Sequence, residues 1–377
     1  MATAISTMRL LSTKSAAETI SGALPTNATY QLWEEKMDVL QTTRRGLIKG
    51  LALVALSATM ITGLTTAAAA QTTLRIAVPD PVGSSVGRAA TRFAELVDEK
   101  TGGEVRFEVF PDGVLFGGDQ NAAVNQLGSG SLDGLILASS VYASFEPRMN
   151  AISLPYLFAD YDQLQAYLQG EPGTELLASL ERFSIKGLGF FLRTFRDVTT
   201  RDTAITTAED FADLTLRVPN NPLFVGLFEA LGANPTPMAF SEVYSALQLG
   251  AIDGQENPVE VPFNNQFFEV QGHLNITQHV ADSFLVALSS SAWDRIPEDW
   301  RDEVEAAADE MIAEHDAEEI AAEADIIAQL EERGMQVNRF AEGELERVQA
   351  IARGIYPQFE EQIGAEFVQK SLDFVAQ

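Results

Sequence analysis

Beyond residue 70 the apolar positions alternate between a period of two and a period near 3.6, and turn residues mark each switch. Leu74-Arg75-Ile76-Ala77-Val78 alternates and ends at Pro79-Asp80-Pro81, which predicts a first strand. Residues 86–100 place Ala90, Phe93, Ala94 and Val97 at helical spacing and stop at Thr101-Gly102-Gly103. A second strand is predicted over 105–110, closed by Pro111-Asp112-Gly113, then a helix over 119–127 and a short buried strand over 134–138. Strand, helix, strand, helix, strand predicts an α/β domain with a largely parallel sheet.

A second unit begins near Gly187-Leu188-Gly189-Phe190-Phe191. Strands over 213–218 and 233–238 flank a helix over 222–231, and 241–249 forms another helix ended by Gly250. Residues 284–289 read as a strand returning to the first unit. Residues 297–333 form one long acidic helix, with Pro297 at its start and Gly334 at its stop. Met311, Ile312, Ile320, Ile326, Ile327 and Leu330 are its apolar positions. At 1.5 Å per residue it runs roughly 50 Å, longer than one small domain, so it is expected to lie across both units.

Length and charge add to this picture. A chain of 377 residues with 46% apolar content buries a large core and suggests two domains. Cysteine is absent, so no disulfide or thiolate site is available. Thr43-Arg44-Arg45-Gly46 precedes an apolar run over 50–64 and then Ala67 to Ala70. That order reads as a cleaved, twin-arginine signal over residues 1–70, and predicts export to the periplasm. The run is shorter than the roughly 20 residues of a membrane span. Met37 reads as an alternative start. Of 25 basic and 54 acidic side chains, six and four lie in residues 1–70, so the remainder carries about −31. Such a surface excludes nucleic acid and anionic membranes as partners. A chain this acidic needs a local, shielded cation to hold an anion, which turns attention to its arginines.

Catalytic signatures are missing from the sequence. His273, His279 and His315 fall in no metal spacing, and neither a G-x-S-x-G elbow nor a P-loop occurs. Gly128-Ser-Gly130-Ser-Leu-Asp-Gly134 has the wrong glycine spacing and position for a dinucleotide loop. No cofactor or metal is expected, and His279 reads as a structural hydrogen-bonding residue. An exported α/β enzyme acting on an organic acid would need a poised base or a metal. A periplasmic ligand sensor would use the same kind of cleft as a transport receptor. In Leu214-Thr-Leu-Arg217-Val-Pro219-Asn220 an arginine ends an apolar strand just before a helix. Ligands of open α/β sheets bind outside the carboxyl ends of strands. Spacing alone leaves Arg217 equally readable as a carboxylate anchor or as a surface ion pair.

The run from Gly232-Ala-Asn-Pro-Thr-Pro through Phe240-Ser241-Glu242 to Asp253-Gly254-Gln-Glu256-Asn257-Pro258 is more specific. With Leu154-Pro155-Tyr156-Leu157-Phe158 and Phe268-Glu269-Val270-Gln271, it resembles the solute receptors of tripartite ATP-independent periplasmic (TRAP) transporters, the DctP-type family. The resemblance covers nearly the whole chain after the signal. It implies a periplasmic-binding-protein-like α/β fold, two lobes joined by hinge strands and a long helix. Lobe I would hold residues 71–193 plus 283–322, and lobe II residues 194–282 plus 323–377 with the C-terminal helices. It further implies that Arg217 bonds the ligand carboxylate, that Arg196 is the second family arginine, that Asn257 contacts the ligand and that Phe240 walls the site. Sialic-acid receptors carry a glutamate where Ser139 stands, so the resemblance implies Ser139 as a ligand contact there and sialic acid itself is not expected. Arg193 adds a further cation or is structurally paired. Two or three cations suit a dicarboxylate, a keto acid or a sugar acid. The implied protein is a receptor rather than an enzyme, with the transporter's membrane subunits as partners; a monomer is expected ahead of a dimer, which the long helix could support.

Overall fold

The computed structural model describes residues 71–377. The signal reading over residues 1–70 and the alternative start at Met37 lie outside the described residues. Among the described residues no helix is long and apolar enough to cross a membrane.

The described strands are β1 (Thr72–Ala77), β2 (Val105–Phe110), β3 (Gly134–Ala138), β4 (Ile185–Thr200), β5 (Thr215–Val218), β6 (Asn234–Pro237), β7 (Gly254–Asn257), β8 (His273–Ser289) and β9 (Gln336–Arg339). They form one sheet in the order β2-β1-β3-β8-β4-β7-β5-β6, with β9 beside β8. One flank pairs β1 in parallel with β2 and β3, and the other pairs β5 in parallel with β6 and β7. Between them β3–β8, β8–β4 and β4–β7 are antiparallel. The sheet is therefore mixed, and the predicted parallel pairing holds on the flanks and where β9 pairs β8, not along the crossing strands. The reason lies in β4 and β8, strands of 16 and 17 residues that run from one flank into the other. Of their apolar ends, 187–191 was readable as the start of a second unit and 284–289 as a short strand. Their middles hold Arg193, Arg196, Asp197, His279 and Asp282, all buried, a composition that hydropathy does not report as strand.

Register shifts interrupt the β4–β8 ladder between Arg193 and Arg196 and again between Arg196 and Val198. An irregularity of this kind bends the strand and re-aims its side chains. The crossing strands thus change direction where their buried arginines stand.

The helix Glu298–Glu332 starts directly after Pro297, as its sequence predicts. Near its start Val304, Ala307, Ala308, Met311 and Ile312 share a core with Phe93, Leu188, Phe191 and Phe284. Near its end Leu330, with Ile326 and Ile327 beside it, packs on Val259, Leu274 and Ile276. The helix therefore lies against both ends of the crossing strands. Ile320 departs from expectation, at 37% exposed. The buried face there is polar instead, formed by His315, Asp316 and Glu319. It covers the polar middle of β4, where Asp316 Oδ1 accepts from the Leu192 amide at 2.7 Å.

Candidate functional site: a cleft at the strand ends

Parallel strands on the two flanks end at one cleft. Pro79 and Asp80 follow β1, Ala138 and Ser140 lie at the end of β3, Arg217 and Pro219 at the end of β5, and Asn257 closes β7. An inner chamber of about 40 Å³ is lined by these residues with Arg193, Arg196, Phe240 and Phe284. It shares Gln120, Ser140, Val141, Arg217, Pro219 and Phe240 with an outer chamber of about 300 Å³. A water needs roughly 10–15 Å³, so the inner space accepts a small polar group and the outer one the rest of a small molecule.

Arg217 stands between the two chambers, 4% exposed. Its Nε and Nη2 donate to the Met238 carbonyl at 3.1 and 2.8 Å, and its guanidinium lies 5.9 Å from the Phe240 ring centre. No carboxylate among the described residues comes within salt-bridge distance of it. Burial lowers its pKa to about 10, Glu256 opposing and Arg196 adding to the shift. It stays cationic at neutral pH, and donors remain on Nη1 and Nη2.

Arg196 and Arg193 are differently placed. Arg196 grips Glu256 through Nε and Nη2 at 2.5 and 2.9 Å, and donates from Nη1 to Asp282 at 2.6 Å. Arg193 reaches the same Asp282 Oδ2 at 2.7 Å and Glu260 Oε1 at 2.7 Å. Burial works against both charged forms, but the carboxylates outweigh it and raise both pKa values. His279 extends the network, its Nε2 3.2 Å from Glu256 Oε2 and its Nδ1 2.8 Å from Thr277 Oγ1. Burial holds the pKa of His279 below its ordinary value, against the pull of Glu256. Its sequence reading as a structural hydrogen-bonding residue agrees with this geometry. The floor of the cleft is thus a buried lattice of ion pairs, hydrogen-bonded at most of its atoms.

Of the residues singled out in the sequence, Arg193, Arg196, Arg217, Phe240 and Asn257 line one chamber. Asn257 Oδ1 accepts from Arg196 Nη2 at 3.0 Å, and its Nδ2 donates to Gln255 at 2.6 Å, leaving one amide hydrogen free. Ser139 departs from the group. It is fully buried, its Oγ accepts from Ser283 Oγ at 2.9 Å, and Ser140 takes the place in the lining. The cause is the short helix Ser139–Tyr142 that starts immediately after β3 and turns the first serine under the wall. Sequence reasoning missed Asp80 and Gln120. Asp80 follows a parallel strand at its carboxyl end, the signal that marked Arg217, but read only as a turn between prolines.

Comparison with known proteins decides the family. Residues 78–362 match the bacterial extracellular solute-binding proteins, family 7. The chain belongs to that family. It is 31% identical over 302 residues to the sialic acid-binding periplasmic protein SiaP of Vibrio cholerae, which covers 80% of this chain and 92% of the relative. The sugar acid binding protein DctPAm of Advenella mimigardefordensis, in complex with galactonate, matches with a TM-score of 0.78 at 29% identity, over 81% of this chain and 98% of that one. A TRAP periplasmic solute binding protein of Sulfurospirillum deleyianum, with bound succinate, matches with a TM-score of 0.76 at 29% identity, over 80% and 98%. The fold is therefore α/β and periplasmic-binding-protein-like, as the sequence resemblance implied. The family consists of extracytoplasmic solute receptors rather than enzymes.

Proposed function

We propose that this chain captures a small organic acid by its carboxylate in the cleft and delivers it to the membrane subunits of a TRAP transporter. The observation that carries this reading is Arg217, a buried guanidinium with no carboxylate partner among the described residues, beside two arginines whose charges are already matched. A planar cation with free donors fits a carboxylate through two parallel hydrogen bonds. Arg196 and Asn257 contribute single remaining donors, Arg193 shapes the floor, and Phe240 walls the site. Ser139 supports the wall from behind, through Ser283.

Lobe I over 71–193 plus 283–322 and lobe II over 194–282 plus 323–377 would close on the acid. The register shifts after Arg193, opposite Asp282 to Val280, support a hinge at those boundaries. Closure excludes water and strengthens the new ion pair. Export by the twin-arginine route rests on Arg44-Arg45 and the alanines before Gln71. The receptor acts as a monomer.

Replacing Arg217 by Lys tests the reading. Lysine keeps the charge and loses the fork, so affinity for the bound acid falls about 100-fold or more in calorimetry. Unchanged affinity sinks the proposal.

A further inference from the structure

Opposite the arginines stands a carboxylate with the reverse character. Asp80 is 8% exposed and lines the inner chamber with Arg193 and Arg217. Its Oδ1 is buried and has no hydrogen-bond partner. The other carboxylates of the floor, Glu256, Glu260 and Asp282, each bond an arginine. Asp80 forms no such pair among the described residues. A buried carboxylate without an ion pair is unfavourable, and a ligand that brings a donor to its chamber-facing side gains the difference.

The loop that carries Asp80 is held in place. Its carbonyl accepts from the Asp112 amide at 3.0 Å. Ser84 Oγ donates to the Pro81 carbonyl at 2.6 Å and accepts from the Gly87 amide at 3.1 Å. A Cβ at Gly87 would lie 2.4 Å from the Pro81 carbonyl oxygen, so glycine there lets the loop sit tightly on the helix Ser85–Lys100. The backbone that carries the carboxyl group is thus fixed before any ligand arrives.

We propose that Asp80 is the hydroxyl-reading pole of this site, so that the receptor selects hydroxylated monocarboxylates of the sugar-acid class and rejects plain dicarboxylates near neutral pH. This rests on the carboxylate-receptor reading above. A ligand hydroxyl donates to the carboxylate of Asp80 where it lines the chamber, whereas a second carboxylate has no hydrogen to give and meets like charge. Charge matching points the same way. Arg193 and Arg196 face Glu256, Glu260 and Asp282, so the floor already holds one negative charge in excess. Arg217 is the cation left for the ligand carboxylate, and a dianion brings a second charge for which the site holds no further unpaired cation. Burial raises the Asp80 pKa to about 6, with Arg193 and the Asn265 side-chain amide opposing and Glu260 and Asp112 adding. Below that pH the protonated carboxyl becomes a donor, and discrimination against dicarboxylates relaxes.

Calorimetry on the full chain tests this with erythronate, galactonate and other aldonates against succinate and other unhydroxylated dicarboxylates. At about pH 7.5 the best aldonate binds about tenfold or more tighter than any dicarboxylate. In Asp80→Asn that ratio collapses by about tenfold, and the wild type at about pH 5 moves in the same direction. A wild-type preference for dicarboxylates at neutral pH, or an unchanged ratio in a folded Asp80→Asn protein, overturns the assignment of Asp80 alone. Should Asp80→Asn not fold, the wild-type ratio decides, and its constancy between the two pH values overturns the assignment. Absence of any acid binding, or indifference to Arg217→Lys, overturns the receptor reading and this one with it.

Discussion

Arg217 and the pair Arg193–Arg196 are buried to the same degree and sit within one cleft, yet they do different things. Arg193 and Arg196 lie in the bent middle of an antiparallel crossing strand, where each has two carboxylates. Arg217 lies at the carboxyl end of a short parallel strand and bonds a backbone carbonyl. A guanidinium whose charge is matched inside the protein is scaffold, since removing it strands its partners. One whose charge is unmatched is strained in the free protein and relieved by an anion. Burial and residue type are the same in both cases. Partner inventory separates them.

The contrast breaks or holds first at Arg217. Arg217→Ala lowers affinity for the acid about 1000-fold, the scale of truncating one member of a desolvated charge pair. The ligand-free protein keeps its thermal midpoint or gains slightly, because an unpaired buried cation has been removed. Calorimetry and a thermal melt together read this. A steep loss of stability would make Arg217 scaffold and dissolve the distinction. Arg196→Met has the opposite signature. It leaves Glu256 and Asp282 without their shared cation and costs about 3–5 kcal/mol in denaturant unfolding. Adding Glu256→Gln and Asp282→Asn restores part of the loss, which a purely steric defect would not allow.

The anions show the same division, with a smaller effect. Asp282 is matched, while Asp197, fully buried in β4, accepts from the Thr277 and Gln278 amides through Oδ1 and leaves Oδ2 without a partner. Burial raises its pKa to about 7, the Gln278 amide opposing and Glu323 adding. An acid whose folded pKa exceeds the unfolded value holds its proton longer in the folded state. Its contribution is therefore full below the unfolded value near 3.9 and is lost as pH rises through about 7. Stability falls across that window because of this group. Asp197→Asn flattens that part of the decline between about pH 5 and pH 8, measured by urea unfolding against the wild type.

How much of this was legible depends on what each residue does for hydropathy. The flanks were readable, because Leu74–Val78, Val86–Lys100 and the Arg217 strand carry clean periods and turn residues at their ends. The middles of β4 and β8 were not, since their buried side chains are charged and the stabilising partners come from 60 to 90 residues away. Such pairing is a tertiary fact with no local signature. The site followed the same rule. Strand-end position found Arg217, and family resemblance supplied Arg196, Asn257 and Phe240, all of which line the chamber. Asp80 had the same strand-end position, and the flanking prolines disguised it as a turn.

Ser139 and Ser140 give the finest test of the comparison, because they are neighbours with opposite environments. Ser139 Oγ is occupied by Ser283 behind the wall, whereas Ser140 lines both chambers. Ser139→Ala leaves the Ser283 hydroxyl without its acceptor and costs about 1 kcal/mol of stability, with ligand affinity unchanged. Ser140→Ala leaves stability unchanged and weakens binding by roughly threefold to tenfold, the range of one neutral hydrogen bond. A one-residue difference in strand exit sets which serine is which, through the helix that begins at Ser139. If the two substitutions exchange these effects, the exit from β3 turns the other way, and Ser139 returns to the ligand as the sequence implied.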